Sequence, residues 1–369
     1  MPKKLKIALV HDYLREYGGA ERVVESLHEL FPDAPLYTAF VDSNSLGIHW
    51  QRFKDWDIRQ SSAASIPFIR TIYSPLRIMA AYFFEAFDFT EYDVVISSSN
   101  MYMAKAVLTQ PETLHICYIH TPPRSLYGFS TRTDWKKSVF TRVLGEFINN
   151  RMRPIDFVAS QRPDVLVANS ITTQERIAKY YRRESVVIYP PVTLQPPLNQ
   201  EGEKDYYLYV GRLAKSKRAD LAIEACKKLG KKLKFVGEGK GEAYLKTIAS
   251  DRVEFLGSVD DAVLAKLYSG AKALLFPAED EDFGIVPVEA MMAGTPVIAH
   301  NSGGPKETVI DGTTGVLFDE LTTEGLTNAI IKLEKLDFDS KKIRQHAMDY
   351  SAEKFKAKIL ALIEKERKV

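Results

Sequence analysis

Cysteine is scarce: only two of 369 residues, Cys117 and Cys226. They lie far apart, in apolar stretches and without metal-ligand spacing. That argues against a disulfide framework or a zinc site, and for buried free thiols in a reducing compartment. Net charge is scarce too. Fifty Lys and Arg against 48 Asp and Glu leave +2, too little for nucleic-acid binding by overall electrostatics. No run approaches ~20 consecutive apolar residues, so no segment reads as a membrane span. The first residues, MPKKLKIALV, hold one short apolar strand with no secretory cleavage pattern after it, and a cytoplasmic protein is expected. A complete G-x-G-x-x-G with a ribose-binding acid is also missing.

What is present is a repeated alternation of short apolar runs with helix-period segments, the pattern of α/β folds built on parallel sheets. The length suits two domains of ordinary size. Pro190-Pro191-Val192 begins a polar, proline-bearing stretch to about Lys204, the best boundary in the chain. The expected division is 1–194, 195–350 and a terminal helical piece, 351–369.

In the first half, residues 5–10 read as a strand, followed by His11-Asp12-Tyr13 and then Gly18-Gly19-Ala20-Glu21 at the start of a helix with Val23, Val24, Leu27 and Leu30 on its apolar face. Glycines between a first strand and its helix allow close backbone approach to a ligand and free N–H groups for an anion, although a plain tight turn has the same composition. Further strands are expected at 35–40, 93–97, 114–119 and 165–168, the last followed by Asn169-Ser170 as a helix cap for residues 172–181. His120, before Thr121-Pro122-Pro123-Arg124, stands at the carboxyl end of its strand. Ligands of parallel sheets bind at such ends, but histidine is also a common structural residue.

In the second half a strand at 206–210 delivers Gly211-Arg212-Leu213, with Lys217 shortly after. Arg and Lys in a first strand-to-helix loop suit a pyrophosphate, the fork of one and the compact charge of the other. Strands at 233–236 and 253–256 end in Gly237-Glu238-Gly239 and Gly257-Ser258-Val259, and Leu264, Leu267 and Tyr268 of the next helix read as core. The organising stretch is 278–299, AEDEDFGIVPVEAMMAGTPVIA. It follows a strand at 273–276, crowds Glu279, Asp280, Glu281 and Asp282 into a loop, and opens a helix at Gly284 and Ile285 that carries Glu289 and ends near Gly294. A new strand starts at Pro296. Two glutamates eight positions apart are weak evidence alone, since acidic loops are usually solvated, but here they stand inside E-x-F-G-I-x-x-x-E-A-M-x-x-G-x-P-V-I-A. Ser302–Glu307 forms another glycine loop, 315–318 another strand, and 351–365 the last helix.

That string resembles the E-x7-E motif of retaining glycosyltransferases of GT-B fold, the large family 4. Gly18–Glu21 resembles that family's G-G-x-E, His120 its H-T-P-x-R histidine, and Arg212 and Lys217 its basic pair, all in family order. The resemblance implies an α/β fold of two Rossmann-like domains facing each other across a cleft, with the last helix crossing back to the first domain. It implies that Glu281 contacts the donor sugar, Glu289 holds a ribose, and Gly18, Gly19 and Glu21 meet the donor's pyrophosphate and sugar. His120 would lie beside the hexose, and Arg212 and Lys217 would stabilise the departing nucleoside diphosphate. Gly211, Gly237, Gly257, Phe283, Gly284 and Ile285 complete the expected donor site, the loop at Gly257 bordering the base. No metal and no cofactor are expected. Relatives with the H-T-P-x-R string include mannosyltransferases of bacterial surface-polysaccharide and O-antigen assembly, which favours GDP-mannose as donor. Other readings are a UDP-sugar donor, a different reaction on the same fold, or a non-catalytic sugar-nucleotide binder within an assembly complex.

Two segments also suit a membrane surface or a lipid-linked glycan acceptor. Residues 66–89 are rich in Ile, Tyr, Phe, Met and Ala. Residues 132–153 read as an amphipathic helix, Val139, Val143, Leu144, Phe147 and Ile148 against Lys136, Lys137, Arg142, Arg151 and Arg153. The alternative for that helix is ordinary packing of its apolar face on the sheet.

Overall fold

A computed structural model describes residues 5–129, 138–194 and 204–367. Contacts divide the chain into two compact units, Met1–Pro191 with Phe355–Val369, and Val192–Lys354. The first is built on seven strands: β1 (Ile7–His11), β2 (Leu36–Thr38), β3 (Ile58–Gln60), β4 (Val94–Ser99), β5 (Leu114–Ile119), β6 (Val165–Ala168) and β7 (Val186–Val187). The second has six: β8 (Tyr206–Val210), β9 (Lys232–Val236), β10 (Val253–Phe255), β11 (Ala271–Phe276), β12 (Val297–His300) and β13 (Gly315–Phe318).

The sheet orders are β3-β2-β1-β4-β5-β6-β7 and β10-β9-β8-β11-β12-β13, with parallel pairing throughout. In both, chain order reverses beside the first strand, between β1 and β4 and between β8 and β11. Helices that follow strands on either side of such a point leave in opposite directions and open a crevice at the carboxyl ends, where ligands of these sheets bind.

Strand alternation accounts for burial on both faces of the first sheet. Ala8 and Val10 point into one core with Tyr37, Val95 and Phe84. Ile7 and Leu9 point into the other with Val23, Val24, Leu27, Val94 and Ile96. Near-continuous apolar strands are what a parallel sheet covered on both sides requires. The helix Ala352–Glu366 adds Phe355, Ile359, Leu362 and Ile363 to that second core, and Lys356 reaches Glu29 at 2.7 Å. In the second unit Tyr207, Phe235, Leu275, Ile298 and Val316 pack on the helices Ala219–Leu229 and Thr323–Leu333.

Most expected elements are found within a residue or two, including Ser170, whose hydroxyl accepts the Thr173 N–H at 3.0 Å as a helix cap. Cys117 and Cys226 are buried free thiols, and burial raises both to about 12.

The basic amphipathic helix differs from expectation. It runs Val139–Ser160, and Lys136 and Lys137 of its expected basic face lie outside the described residues. Its second half packs inward through Met152 and Ala159. Its first half does not pack on the sheet: Val139, Phe140, Val143, Leu144 and Phe147 are exposed, Phe140 to 76% and Phe147 to 57%. The reason is the helix's own pattern. Asn149, Asp156 and Ser160 share the inward face of its second half, and of the expected apolar face of the first half only Ile148 packs on the core among the described residues. Of residues 66–89, Ile69, Ala80, Phe83, Phe84 and Phe89 enter the core, whereas Phe68, Ile72, Met79 and Tyr82 are exposed.

Candidate active site

The expected groups of each unit gather at the carboxyl ends of its strands. In the first unit, parallel register sets His11 at the end of β1 directly beside Ser98 of β4. His11 Nδ1 lies 3.1 Å from Ser98 Oγ, and the same oxygen lies 2.8 Å from Nε2 of His120, the residue after β5. On its other side His11 Nε2 is 3.4 Å from Glu21 Oε1, and Glu21 Oε2 accepts the Gly18 N–H at 2.8 Å. Glu21 stands in the first turn of the helix Gly19–Leu30, where the helix dipole favours a carboxylate. Glu21, His11, Ser98 and His120 thus form one buried chain across three strands and a helix start. Burial, with His11 as a second and smaller cause, lowers His120 to about 3, so it is a neutral imidazole.

Two neighbours hold this edge in shape. Asp12 accepts the N–H groups of Asn100, Met101 and Tyr102 on one oxygen, at 2.7–2.9 Å, and that of Ala104 on the other at 2.8 Å. A carboxylate with four backbone donors ties the turn after β4 to the end of β1. Arg176 donates to Thr121 Oγ1 at 3.2 Å and covers the Phe129 ring at 4.3 Å. The sequence reading assigned nothing to Asp12, Ser98 or Arg176. The only local signal was a switch from apolar to polar residues at the strand ends, Val94-Val95-Ile96 to Ser97-Ser98-Ser99.

In the second unit three glycine turns are laced together. Gly211 N–H donates to Val236 O, Leu213 N–H to Glu238 O, and Gly237 N–H to Gly257 O at 2.8 Å. Gly237 has φ +123°, and a Cβ on it would come within 2.2 Å of the Gly211 carbonyl, so side chains are excluded where the two turns touch. Arg212 is exposed in this cluster, and Lys217 forms an ion pair with Glu281 from the loop after β11. Both partners are partly buried, at 20% and 25% exposure. The Glu281 loop is braced from behind, its carbonyl accepting the Gly304 N–H at 2.7 Å.

Gly284, with φ +85°, caps the helix Ile285–Met292. Phe283 is buried, its ring 5.8 Å from that of Tyr350. Glu289 is 2% exposed and accepts the Tyr268 hydroxyl at 2.9 Å. Thus Lys217 and Glu281 are brought together, while Glu289 is buried within the helix and Ile285 is partly exposed at its start.

Among the described residues no cluster of three or more His, Cys, Asp or Glu has the arrangement of a metal site, and no helix is long and apolar enough to cross a membrane.

Comparison with known proteins agrees with this architecture. Residues 193–365 match the family Glycosyl transferases group 1. A glycogen synthase of Thermus thermophilus is 37% identical over 39% of the chain, but the match spans only 35% of that enzyme's length. The alpha-1,3/1,6-mannosyltransferase ALG2 of Dictyostelium discoideum is 26% identical over 97% of the chain and 96% of its own. The crystal structure of Anabaena HepE in complex with UDP and glucose superposes with a TM-score of 0.68 at 18% identity, over 98% of the chain and 100% of that protein. At that identity the likeness concerns the fold, which is GT-B.

Proposed function

We propose, for a chain whose residues 193–365 match the glycosyl transferases group 1 family and whose fold is GT-B, that it is a retaining glycosyltransferase moving mannose from GDP-mannose to a lipid-linked glycan of surface-polysaccharide or lipopolysaccharide biosynthesis. The observation that carries this reading is the Lys217–Glu281 pair, set among the glycine turns where chain order reverses in the second sheet. A cation and a carboxylate there match the two charges that develop as a glycosyl–phosphate bond breaks. Arg212, Lys217 and the helix start at Gly284 stabilise the diphosphate, and Glu281 stabilises the sugar cation. Glycine turns at 211, 237 and 257 give the nucleotide backbone contacts.

The bond from the anomeric carbon to the diphosphate oxygen breaks, and the acceptor oxygen bonds to the same face. Its proton passes to the leaving phosphate oxygen. Fixed cations take the place that a metal holds in other sugar-nucleotide enzymes. The full-length similarity to a mannosyltransferase supports the choice of sugar. UDP-hexoses are the second reading, favoured by the UDP-bound relative.

The lipid-linked acceptor is met at the inner face of the membrane, on an anionic lipid surface. The exposed Phe140, Val143, Leu144 and Phe147 support this, flanked by the exposed Arg142 and Arg151, with Arg151 5.3 Å from the Phe147 ring. Apolar side chains beside cations are what an interfacial helix offers such a surface.

Thermal unfolding with GDP-, UDP- and ADP-hexoses tests the donor. At about a hundred times its dissociation constant GDP-mannose should add roughly 2.7 kcal/mol, and Arg212→Ala should remove the shift. A shift with UDP-sugars alone overturns GDP-mannose but not the fold or chemistry. A shift without turnover, with every candidate acceptor, favours a non-catalytic binder.

A further inference from the structure

We propose that Glu21 acts through His11 and Ser98 to set the tautomer of His120, presenting its Nδ1 lone pair to a hydroxyl of the bound hexose. The role assigned to that lone pair rests on the sugar-transfer reading above; the tautomer itself does not.

The chain of contacts allows a count of protons. Glu21 is acceptor-only as a carboxylate, so the His11 nitrogen facing it, Nε2 at 3.4 Å, carries the proton. We take the His11 ring as singly protonated, so that its Nδ1 is bare and accepts from the Ser98 hydroxyl at 3.1 Å. A hydroxyl has one proton to give. Ser98 Oγ therefore accepts from His120, and at 2.8 Å His120 must carry its proton on Nε2. Nδ1 is left as the acceptor atom, and among the described residues no hydrogen bond engages it. With His11 singly protonated each link has one polarity; a doubly protonated His11 would reverse both links to Ser98 and leave the His120 proton on Nδ1, the form that overturns the proposal.

The fold makes this arrangement specific. His11 and Ser98 are register partners in neighbouring parallel strands, and Ser98 pairs with Tyr118 in β5. Side chains two apart along a strand share a face, so His120 lies on the face of Tyr118 and reaches back to Ser98. Burial excludes water from every link: Ser98 is 1% exposed, His11 2% and Glu21 5%. Glu21 is a positioning residue on this account, acting on the sugar through His120. A sugar hydroxyl approaching an imidazole fixed as acceptor must turn its proton toward the ring, which orients the hexose.

The test reads the tautomer directly. Nitrogen-15 chemical shifts of the histidine rings, with His120 identified by its loss in His120→Asn, should show the Nε2–H form in the unaltered protein. Ser98→Ala removes the bridge and should yield a mixture of forms; Glu21→Gln, whose amide can donate to His11, should shift the population toward Nδ1–H. An Nδ1–H tautomer in the unaltered protein, or one unchanged in both variants, overturns the proposal. Ser98→Thr keeps the hydroxyl and should keep the tautomer, with most of the transferase activity, whereas Ser98→Ala should lose about tenfold or more. A merely packed serine predicts the opposite ranking, since alanine fits the buried site and the extra methyl of threonine does not. Because the nitrogen shifts are measured without substrate, a failure of the sugar-transfer reading would appear in the activity arm and not in the tautomer.

Discussion

At the scale of single residues, ionisable side chains stand in two settings, partly exposed and fully buried, and burial separates what each should do. Lys217 and Glu281 remain partly exposed, and ion pairs of this sort contribute roughly 0–1 kcal/mol to folding. Lys217→Ala should therefore leave the thermal midpoint nearly unchanged while lowering kcat/KM by about 10²–10³, the scale of one lost transition-state contact. Steady-state kinetics and a melting curve on the same preparation check both halves. His115 and His120 are the opposite case. Burial lowers both to about 3, with Arg162 adding for the first and His11 for the second. Unfolded histidine takes up its proton near ~6.5. The unfolded chain then binds more protons than the native one, so this stability is complete above that pH and is lost as pH falls from ~6.5 toward 3. Urea midpoints measured down that range should decline, and His115→Gln should make the decline shallower.

At the scale of elements, the glycosyltransferase-like string at 281–299 is local, and its strand, loop, helix and strand were legible in the sequence because each boundary carries its own residue: Pro277, Gly284, Gly294. Exposure of the helix Val139–Ser160 was not legible. Its apolar spacing reads equally as a face for a core or for lipid, and only the exposure of Phe140, Val143, Leu144 and Phe147 separates the two. Phe140→Glu with Phe147→Glu should abolish co-sedimentation with vesicles containing phosphatidylglycerol and leave the melting temperature within a degree or two, since neither ring is in the core. Equal binding by the double variant would dismiss the membrane surface. Similarly, the two edge strands β3 and β7 carry short, weak patterns and were not anticipated; they exist because β2 and β6 offer open edges to pair with.

At the scale of the whole molecule, the first unit is completed by chain from the far end. Phe355, Ile359, Leu362 and Ile363 close a core otherwise made by residues before 190. Ending the chain at Lys354 should lower the stability of the first unit by roughly 6–12 kcal/mol, from four buried apolar side chains at about 1.5–3 each. Calorimetry should show one transition weakened or absent while residues 192–354 still unfold cooperatively. A single unchanged transition would contradict this. The sequence by itself determined the α/β class, the glycine turns, the basic pair and the acidic motif, because each depends on residues within a turn or two of one another. Only the tertiary structure decided that residue 11 faces residue 98, that Ser98 joins two histidines, and that Glu289 is enclosed behind Tyr268. Those contacts depend on strand order and register, in which pairing partners lie tens of residues apart and leave no periodic trace along the chain.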